Sequence, residues 1–379
     1  MEIGSTNYPT RSPDCLLLRL KAMPLQSHLK HLIEGRATLS REQARDLMQQ
    51  IISGELTDIE IAALVGALAS RGETPEELAG FVDVMRSAVT RVPLNPNEQA
   101  LLVDTCGTGG DASRTFNIST ASALVASAAG ASIAKHGNRA ITSQCGSADV
   151  LEALGIPVDL TPMEASSALR HHRFAFLHAP SLHPAMKAVM PVRRALGVRT
   201  VFNLLGPLTN PAGASAQVMG VYSAHAVPLV AHAMALLETR HAFVVHGTTE
   251  PDRDGIIRGL DEISISGPTY LAEVRNGVVS TSTITPEDVG LTRAPMESLL
   301  GGNSQENAAI LRAIFSGELG PRRDIVLLNA AAVLVAADLA PDLLTGVGLA
   351  AHTLDSGAVT ELVASLGRNA DGESQVSSS

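Results

Sequence analysis

Hydrophobic and polar positions follow one pattern in the first quarter of the chain and a different one afterwards. From Leu25 to about Ala88, apolar residues recur at helical spacing. Residues 39–43 (LSREQ) and 56–60 (LTDIE) have the composition of capped helix starts, and Gly72 and Gly80 are expected to break the helical run. The pattern predicts a small all-helical unit.

Beyond the polar linker that follows Pro93, short apolar segments alternate with alanine-rich helical stretches. Residues 101–104, 131–134 and 242–245 have the length and composition of buried strands. Strands that alternate with helices are typical of an α/β domain with a mainly parallel central sheet. The predicted fold class is therefore α/β, with a small N-terminal all-helical domain and a large α/β domain.

The helical pattern returns at residues 183–200, in the middle of the α/β region, and this segment is expected to fold back against the helical unit. The first residues lack clean periodicity, and the serine-rich end is expected to be frayed. We predict a loose extension over residues 1–22 and a helical domain over residues 23–95, which the segment 183–200 rejoins. The α/β domain is predicted in two parts, residues 96–182 and 201–367. A disordered tail is predicted over residues 368–379.

Composition narrows the class of protein. Of the 379 residues, 45% are hydrophobic and 17% charged, which indicates a folded globular chain with apolar surface to bury. The net charge of −10 argues against a protein that grips nucleic acid through a basic field. Cys15, Cys106 and Cys145 are too few and too widely spaced for a disulfide framework or a zinc site. Because no apolar run is long enough for a membrane span, we expect a cytoplasmic protein without a membrane partner.

A glycine-rich run, residues 104–111 (DTCGTGGD), directly follows a predicted strand, and Asn117 to Thr120 open the next helix. Glycines let backbone N–H groups approach an anion, and a helix start adds unpaired N–H groups and a favourable dipole. A phosphate site is the functional interpretation, and a tight turn capped by Asn117 or Ser119 is the structural one. The run matches neither common nucleotide fingerprint, which disfavours an ordinary ATPase or dehydrogenase.

A second polar run, residues 135–139 (KHGNR), also follows a predicted strand, with further hydroxyls at Thr142, Ser143 and Ser147. Cations, an amide and hydroxyls converge there, as a phosphate requires. A solvated basic turn would have the same composition, so the motif alone leaves both interpretations open.

Two weaker signals complete the set. Adjacent carboxylates at Asp261 and Glu262 suit Mg²⁺, which prefers oxygen ligands and bridges substrate phosphates, although most such pairs are solvated surface. An arginine in the segment that contains Arg193 could pair with a substrate carboxylate, or belong to a solvated basic helix face. The histidines between 171 and 183 match no zinc spacing, which disfavours a metal site there.

Taken together, these motifs resemble the anthranilate phosphoribosyltransferases over about residues 23–367. The resemblance implies an α/β domain of the nucleoside phosphorylase/phosphoribosyltransferase type and a homodimer formed through the helical domain. It also implies transfer of a phosphoribosyl group from 5-phosphoribosyl 1-diphosphate (PRPP) to anthranilate, a step of tryptophan biosynthesis with Mg²⁺ as cofactor.

The same resemblance assigns roles to individual residues. Lys135, Asn138 and Arg193 would be catalytic, with Arg193 facing the carboxylate of anthranilate. Ser119, Asp261 and Glu262 would bind Mg²⁺. The residues expected to contact the two substrates are Gly107, Gly110, Asp111, Thr115, Asn117, Ile118, Ser119, Thr120, Lys135, His136, Gly137, Asn138, Arg139, Ala140, Ile141, Thr142, Ser143, Ser147, His183 and Arg193.

Two alternatives remain from the sequence. Nucleoside phosphorylases of similar architecture usually carry Lys-His-Ser, where this chain has Lys135-His136-Gly137-Asn138. A non-catalytic relative that binds nucleic acid would need a basic groove, which the net charge of −10 disfavours.

Overall fold

The computed structural model describes residues 24–111, 113–140, 144–252 and 254–372. The expected extension over residues 1–22 and the end of the chain from 373 onward lie outside these ranges, as do the predicted site residues Ile141, Thr142 and Ser143. Within the described ranges, no helix is long and apolar enough to span a bilayer.

The predicted helical unit is present and begins with four α-helices. The hydroxyls of Ser40, Thr57 and Thr74 each accept a hydrogen bond from the backbone N–H three residues later, and the side chain at that later position accepts from the capping residue's N–H. These reciprocal caps satisfy N–H groups that a helix start leaves unpaired. The four helices are α1 (Leu25–Ile33), α2 (Arg41–Ile52), α3 (Asp58–Arg71) and α4 (Pro75–Ser87).

The two glycines expected to break the helical run behave differently. Gly72 ends α3 with a φ of 91°, as predicted. The prediction for Gly80 is wrong, because this residue lies inside α4 and is buried. A Cβ on Gly80 would overlap the carbonyl oxygen of Arg41 on α2. Gly80 therefore allows the two helices to pack closely, a role that the local sequence pattern does not reveal.

We expect Gly80→Ala to lower the free energy of unfolding by about 1–3 kcal/mol, because the added methyl group forces α4 away from α2. Gly66→Ala is the matched control, since Gly66 lies in α3 with open space around its Cβ position. Alanine there should stabilise by up to about 1 kcal/mol through helix propensity. Urea unfolding of both variants measures the difference, and equal stability of the two would contradict the packing argument.

The α/β unit contains one eight-stranded sheet with strand order β3-β2-β1-β4-β5-β7-β8, and β6 pairs with β5. The five strands from β3 to β5 are parallel, whereas β6, β7 and β8 pair antiparallel. The prediction of a mainly parallel sheet is confirmed. The strands are β1 (Leu102–Gly107), β2 (Ser132–Gly137), β3 (Phe174–His178), β4 (Ala216–Gly220), β5 (His241–Thr248), β6 (Gly259–Leu260), β7 (Thr269–Arg275) and β8 (Val278–Ile284).

Helices cover both faces of the sheet. One face packs against α6 and α14, which in turn contact α15, and the other packs against α12, which in turn contacts α4 of the helical unit. The helices are α5 (Pro96–Ala100), α6 (Ile118–Ala128), α7 (Ser147–Ala153), α8 (Pro162–His172), α9 (Ala179–Leu182), α10 (Met190–Leu196), α11 (Phe202–Leu205), α12 (Ala226–Leu236), α13 (Ser304–Phe315), α14 (Pro321–Ala336), α15 (Leu343–Asp355) and α16 (Ala358–Gly372), with 3-10 turns at Pro184–Ala188, Pro286–Val289 and Met296–Leu299.

Two segments bear on the predicted boundaries. Val189 and Val192, in and beside α10, share a hydrophobic cluster with helices α2 to α4, so the segment at 183–200 packs against the helical unit. At the end of the chain, α16 continues through Gly372, so residues 368–372 are helical rather than disordered. Val359 and Leu366 anchor α16 to the core, and an anchored helix extends readily by further turns.

The sheet topology indicates where a ligand should bind. From β1 the chain moves to β2 and β3 on one side, and β4 returns on the other side of β1. In open α/β sheets, ligands bind outside the carboxyl ends of the strands at such a switch point. The crevice between the ends of β1 and β4 is therefore the expected site.

Candidate active site

The glycine-rich loop lies at this switch point, between the end of β1 and the start of α6. Gly109 and Gly110 have φ angles of 67° and 78°, a region that glycine enters without strain. The N–H of Thr108 donates to the carbonyl of Gly220 at 2.9 Å, which joins the loop to the end of β4. Backbone N–H groups are thus concentrated where the topology expects a ligand.

The loop that carries Asp261 and Glu262 packs directly onto the strand ends. A Cβ on Gly107 would overlap the carboxylate of Asp261, and a Cβ on Gly220 would overlap its carbonyl oxygen. A Cβ on Gly247 of β5 would likewise overlap the carbonyl oxygen of Glu262. Three glycines on three adjacent strands therefore make room for the acid pair.

The two carboxylates accept hydrogen bonds from backbone groups that were predicted to bind phosphate. The N–H of Gly109 donates to Asp261 Oδ2 at 2.7 Å, and the N–H of Ser119, at the start of α6, donates to Glu262 Oε1 at 3.0 Å. A carboxylate of Asp111 lies beside them, 3.4 Å from the backbone nitrogen of Asp261. The three acids thus meet at the start of α6, where the helix dipole favours negative charge.

Burial raises the pKa of both Asp261 and Glu262, and repulsion from neighbouring carboxylates raises it further. Such a cluster of oxygen donors is best stabilised by a cation. Asp261, Glu262 and the hydroxyl of Ser119 could hold Mg²⁺, which takes few protein ligands and completes its coordination with water and substrate phosphates. The oxygen donors of these residues are therefore of the kind that a magnesium ion takes.

Lys135 is the buried cation of the site, with 1% of its surface exposed. Its Nζ donates to the carbonyl of Thr105 at 2.6 Å and to Ser119 Oγ at 3.3 Å. Burial lowers its pKa, whereas the negative charges of neighbours that include Asp261 and Glu262 oppose that shift. Lys135 on β2 therefore brings a positive charge to the start of α6.

His136 and His183 form a buried pair, with 3.0 Å between their Nε2 atoms. Burial lowers the pKa of His136 to about 3 and that of His183 to about 4, so both rings are neutral at pH 7. One Nε2 must then donate and the other accept. The N–H of His136 also donates to Asp104 Oδ1 at 3.0 Å, which fixes the end of β2 against β1.

The other three residues of the KHGNR run, Gly137, Asn138 and Arg139, contact neighbouring parts of the protein. Gly137 packs closely on the ring of Phe176, and Asn138 accepts from the N–H of Arg139 at 2.7 Å. The guanidinium of Arg139 binds Glu152 at 2.5 and 2.7 Å and Asp159 at 3.2 Å, so this side chain braces α7. Because these acids engage the side chain, any substrate contact of Arg139 would have to be made by its backbone.

Several other predicted substrate contacts are also engaged within the protein. Ile118 packs in the core and its N–H donates to the carbonyl of Phe116, while the N–H of Ala140 donates to Asp149. Thr115 pairs with Leu300 in an isolated bridge. These interactions shape the loops around the site.

Arg193 lies in α10 and is half-buried. Burial lowers its pKa, and its guanidinium makes no ion pair or hydrogen bond with a residue in the described part of the chain. A desolvated cation without a protein counter-ion is suited to a ligand carboxylate.

Two residues to which the sequence assigned no role, Arg199 and Asn329, contact the loops of the site. Arg199 lies 4.7 Å from the centre of the Tyr222 ring and 3.5 Å from the carbonyl oxygen of Gly110. Asn329 on α14 exchanges two hydrogen bonds with the backbone of Ile263, directly after the acid pair. Both contacts join residues distant in sequence, so local spacing carried no signal for them.

Comparison with known proteins agrees with this architecture. Residues 26–89 match the helical bundle domain of a glycosyl transferase family, and residues 99–360 match its a/b domain. The fold and the site thus define a glycosyltransferase with an N-terminal helical bundle.

Similar proteins narrow the family further. A protein from Symbiobacterium thermophilum named anthranilate phosphoribosyltransferase is 51% identical over 88% of this chain and 94% of its own length. The anthranilate phosphoribosyltransferase structure from Thermus thermophilus is 42% identical, with a TM-score of 0.81 over 90% of this chain and 98% of that one. The enzyme from Saccharomyces cerevisiae, solved in complex with PRPP and Mg, is 28% identical, with a TM-score of 0.78 over 89% of this chain and 95% of that one.

The chain belongs to the anthranilate phosphoribosyltransferase family. It is therefore a pentosyltransferase, and the class of enzyme expected from the motifs is confirmed.

Proposed function

We propose that this chain transfers the phosphoribosyl group of PRPP to anthranilate, giving N-(5-phosphoribosyl)anthranilate and diphosphate in tryptophan biosynthesis. The supporting observation is the meeting of four features at the β1/β4 switch point: the glycine loop, the start of α6, the buried Lys135 and the Asp261-Glu262 pair. Anion donors and metal-binding oxygens lie side by side there, which is what a magnesium diphosphate requires.

The glycine loop and the start of α6 are proposed to bind the diphosphate. The N–H groups of Gly109 and Ser119, which now donate to Asp261 and Glu262, are the donors that a phosphate would take over. The buried hydroxyl of Thr120 has no hydrogen-bond partner in the described part of the chain and is a further donor. The residues proposed to hold PRPP are Gly107, Gly110, Asp111, Thr115, Asn117, Ser119, Thr120, Lys135 and Ser147.

Ser119, Asp261 and Glu262 are proposed to hold Mg²⁺ once the phosphates displace the carboxylates from the N–H groups. The bound ion would supply positive charge to the diphosphate. A cation beside the two carboxylates would also offset the burial and the mutual repulsion that raise their pKa. The exchange couples substrate binding to metal binding through two residues.

Catalysis by this chain is proposed to be mainly electrostatic. As the bond between ribose C1 and diphosphate oxygen breaks, negative charge grows on the leaving group, and Lys135 with the loop N–H groups stabilises it. The amine nitrogen of anthranilate forms the new bond to C1 and then loses a proton. Because an aromatic amine is neutral at pH 7, it needs orientation more than a strong base.

Anthranilate is proposed to bind with its carboxylate on Arg193 and its amine near Asn138. The neutral His136–His183 pair would border the ring, because His136 belongs to the KHGNR run and His183 is buried against it. The unpaired guanidinium of Arg193 supports this assignment, since a planar carboxylate matches its donor geometry.

Arg193→Ala tests the assignment. We expect the KM for anthranilate to rise about 10- to 100-fold, because one charge-assisted contact is lost, while the KM for PRPP changes little. Arg194→Ala is the matched control, since Arg194 is the exposed neighbour in the same helix. Steady-state kinetics with each substrate varied in turn measures both constants. Equal increases for the two substrates would rule out the proposed role.

We further propose a cytoplasmic homodimer formed through the helical domain. Ile33 and Ile59 are 60% and 82% exposed on the helical unit and supply apolar surface for such contact. Sedimentation equilibrium measures the state directly, and a monomer at micromolar concentration would contradict it.

A further inference from the structure

A second cavity lies at the junction of the helical and α/β units, apart from the glycine loop and the acid pair. Its volume is about 190 Å³. A single water needs roughly 10–15 Å³ measured in this way, so the cavity has room for a small ion with its remaining hydration. Arg86, Arg91, Asp104, Asn210 and Gln217 are among its lining residues, and it is called the junction cavity below.

Arg86 brings an incompletely paired cation to the junction cavity. Its Nε donates to the carbonyl of Leu208 at 2.9 Å, and its other two nitrogens make no hydrogen bond to a described residue. Asp83, the acid whose charge acts on it, is held by the guanidinium of Arg41 at 2.8 and 2.9 Å. Burial lowers the pKa of Arg86, so the guanidinium has lost hydration without gaining a carboxylate.

Arg91 is a second cation on the same cavity. It is exposed and makes no ion pair with a residue in the described ranges. Two guanidinium groups thus line one small space, and neither forms an ion pair with a carboxylate of the described residues. Their planar sets of N–H donors match the oxygens of a tetrahedral oxyanion.

Three other polar side chains of the junction cavity already make hydrogen bonds within the protein. Asp104 accepts from the N–H of His136, Asn210 Nδ2 donates to the carbonyl of Ala134, and Gln217 Nε2 donates to that of Pro207. The acid therefore faces β2 and does not neutralise the arginines by a direct ion pair. Among the described residues, free donor capacity in the cavity belongs to Arg86, Arg91 and the side-chain amide of Gln99, and only the two arginines carry charge.

We propose that the junction cavity binds a small inorganic oxyanion of the phosphate class between Arg86 and Arg91. The anion would connect α4 of the helical unit with the linker that enters β1. Its neighbour Asn210 is bonded to Ala134, which precedes the active-site Lys135. Occupancy of the cavity would thus stabilise the domain junction beside the catalytic strand, without contact to the acid pair.

Sulfate is the probe, because it has the required charge and shape. We expect the Tm of the full-length protein to rise with sodium sulfate above a sodium chloride control of equal ionic strength. Arg91→Gln should raise the sulfate concentration needed for a given rise in Tm by about tenfold, the loss of affinity expected for one charge-assisted contact. Arg91 is exposed, so this variant should fold even where a change at Arg86 would not.

Arg45→Gln is the matched control, since Arg45 is an exposed arginine of the helical unit outside the junction cavity. This variant should respond to sulfate as the wild type does. An anomalous difference map from crystals soaked in selenate should also place the ion between Arg86 and Arg91. An Arg91→Gln response equal to that of the wild type, or selenate on the glycine loop with none in the cavity, would overturn the proposal. Either result leaves the proposed transferase function untouched.

Discussion

The double variant Asp261→Asn with Glu262→Gln is expected to lose at least about 10²–10³-fold in kcat/KM, the loss typical of one preorganised charged or polar group at such sites. The amides keep the size of the side chains and can still accept from Gly109 and Ser119, so the fold should persist. What they lose is the negative charge that we propose binds a divalent cation. Activity titrated with Mg²⁺ measures the effect.

The control for this variant removes two charges elsewhere. Glu297→Gln with Glu318→Gln changes two exposed acids that form no ion pair with a described residue. Its kcat/KM and its Mg²⁺ requirement should match the wild type. An Asp261/Glu262 variant that kept the wild-type Mg²⁺ dependence would refute the metal assignment.

Among substitutions that add one methyl group at the site, Gly220→Ala should cause the largest loss of activity. The added Cβ would overlap the carbonyl oxygen of Asp261, so the acid loop must move away from the end of β4. A displacement of about 1 Å costs on the order of 10²-fold in rate when the moved group positions the reaction. We therefore expect about that loss in kcat/KM, with a raised Mg²⁺ requirement.

Gly348→Ala provides the matched control in the same unit. Gly348 lies in α15 with open space at its Cβ position, so alanine should leave kinetics unchanged. Kinetic assays and circular dichroism of both variants separate site damage from unfolding. A folded Gly220→Ala enzyme with wild-type kinetics would show that the close approach of the acid loop is not needed.

Most helices and strands of the fold were predictable from local sequence patterns. Ser40 and Thr57 cap helices where the sequence indicated, because a cap depends on residues three positions apart. Gly80 was misinterpreted because its reason is a carbonyl on another helix. The end of α16 was missed because core contacts at Val359 and Leu366, rather than local composition, hold that helix in place.

In the candidate site, too, features within one local motif were predictable and features that depend on distant contacts were not. The positions of the glycine loop and of Lys135 near the ends of two strands were predictable, since each belongs to a short motif next to an apolar segment. The engagement of Arg139 by Glu152 and Asp159 was not, because those partners lie 13 and 20 residues away on elements whose packing the sequence does not specify. The approach of Gly220 and Gly247 to the acid pair depends on strand order, which no local pattern contains.

The most direct test of the account follows the fluorescence of anthranilate mixed with the purified protein, PRPP and Mg²⁺. The account predicts that fluorescence falls in the complete mixture and stays constant when the protein, PRPP or Mg²⁺ is omitted. Constant fluorescence in the complete mixture, with the protein shown to be folded, would contradict the proposed reaction.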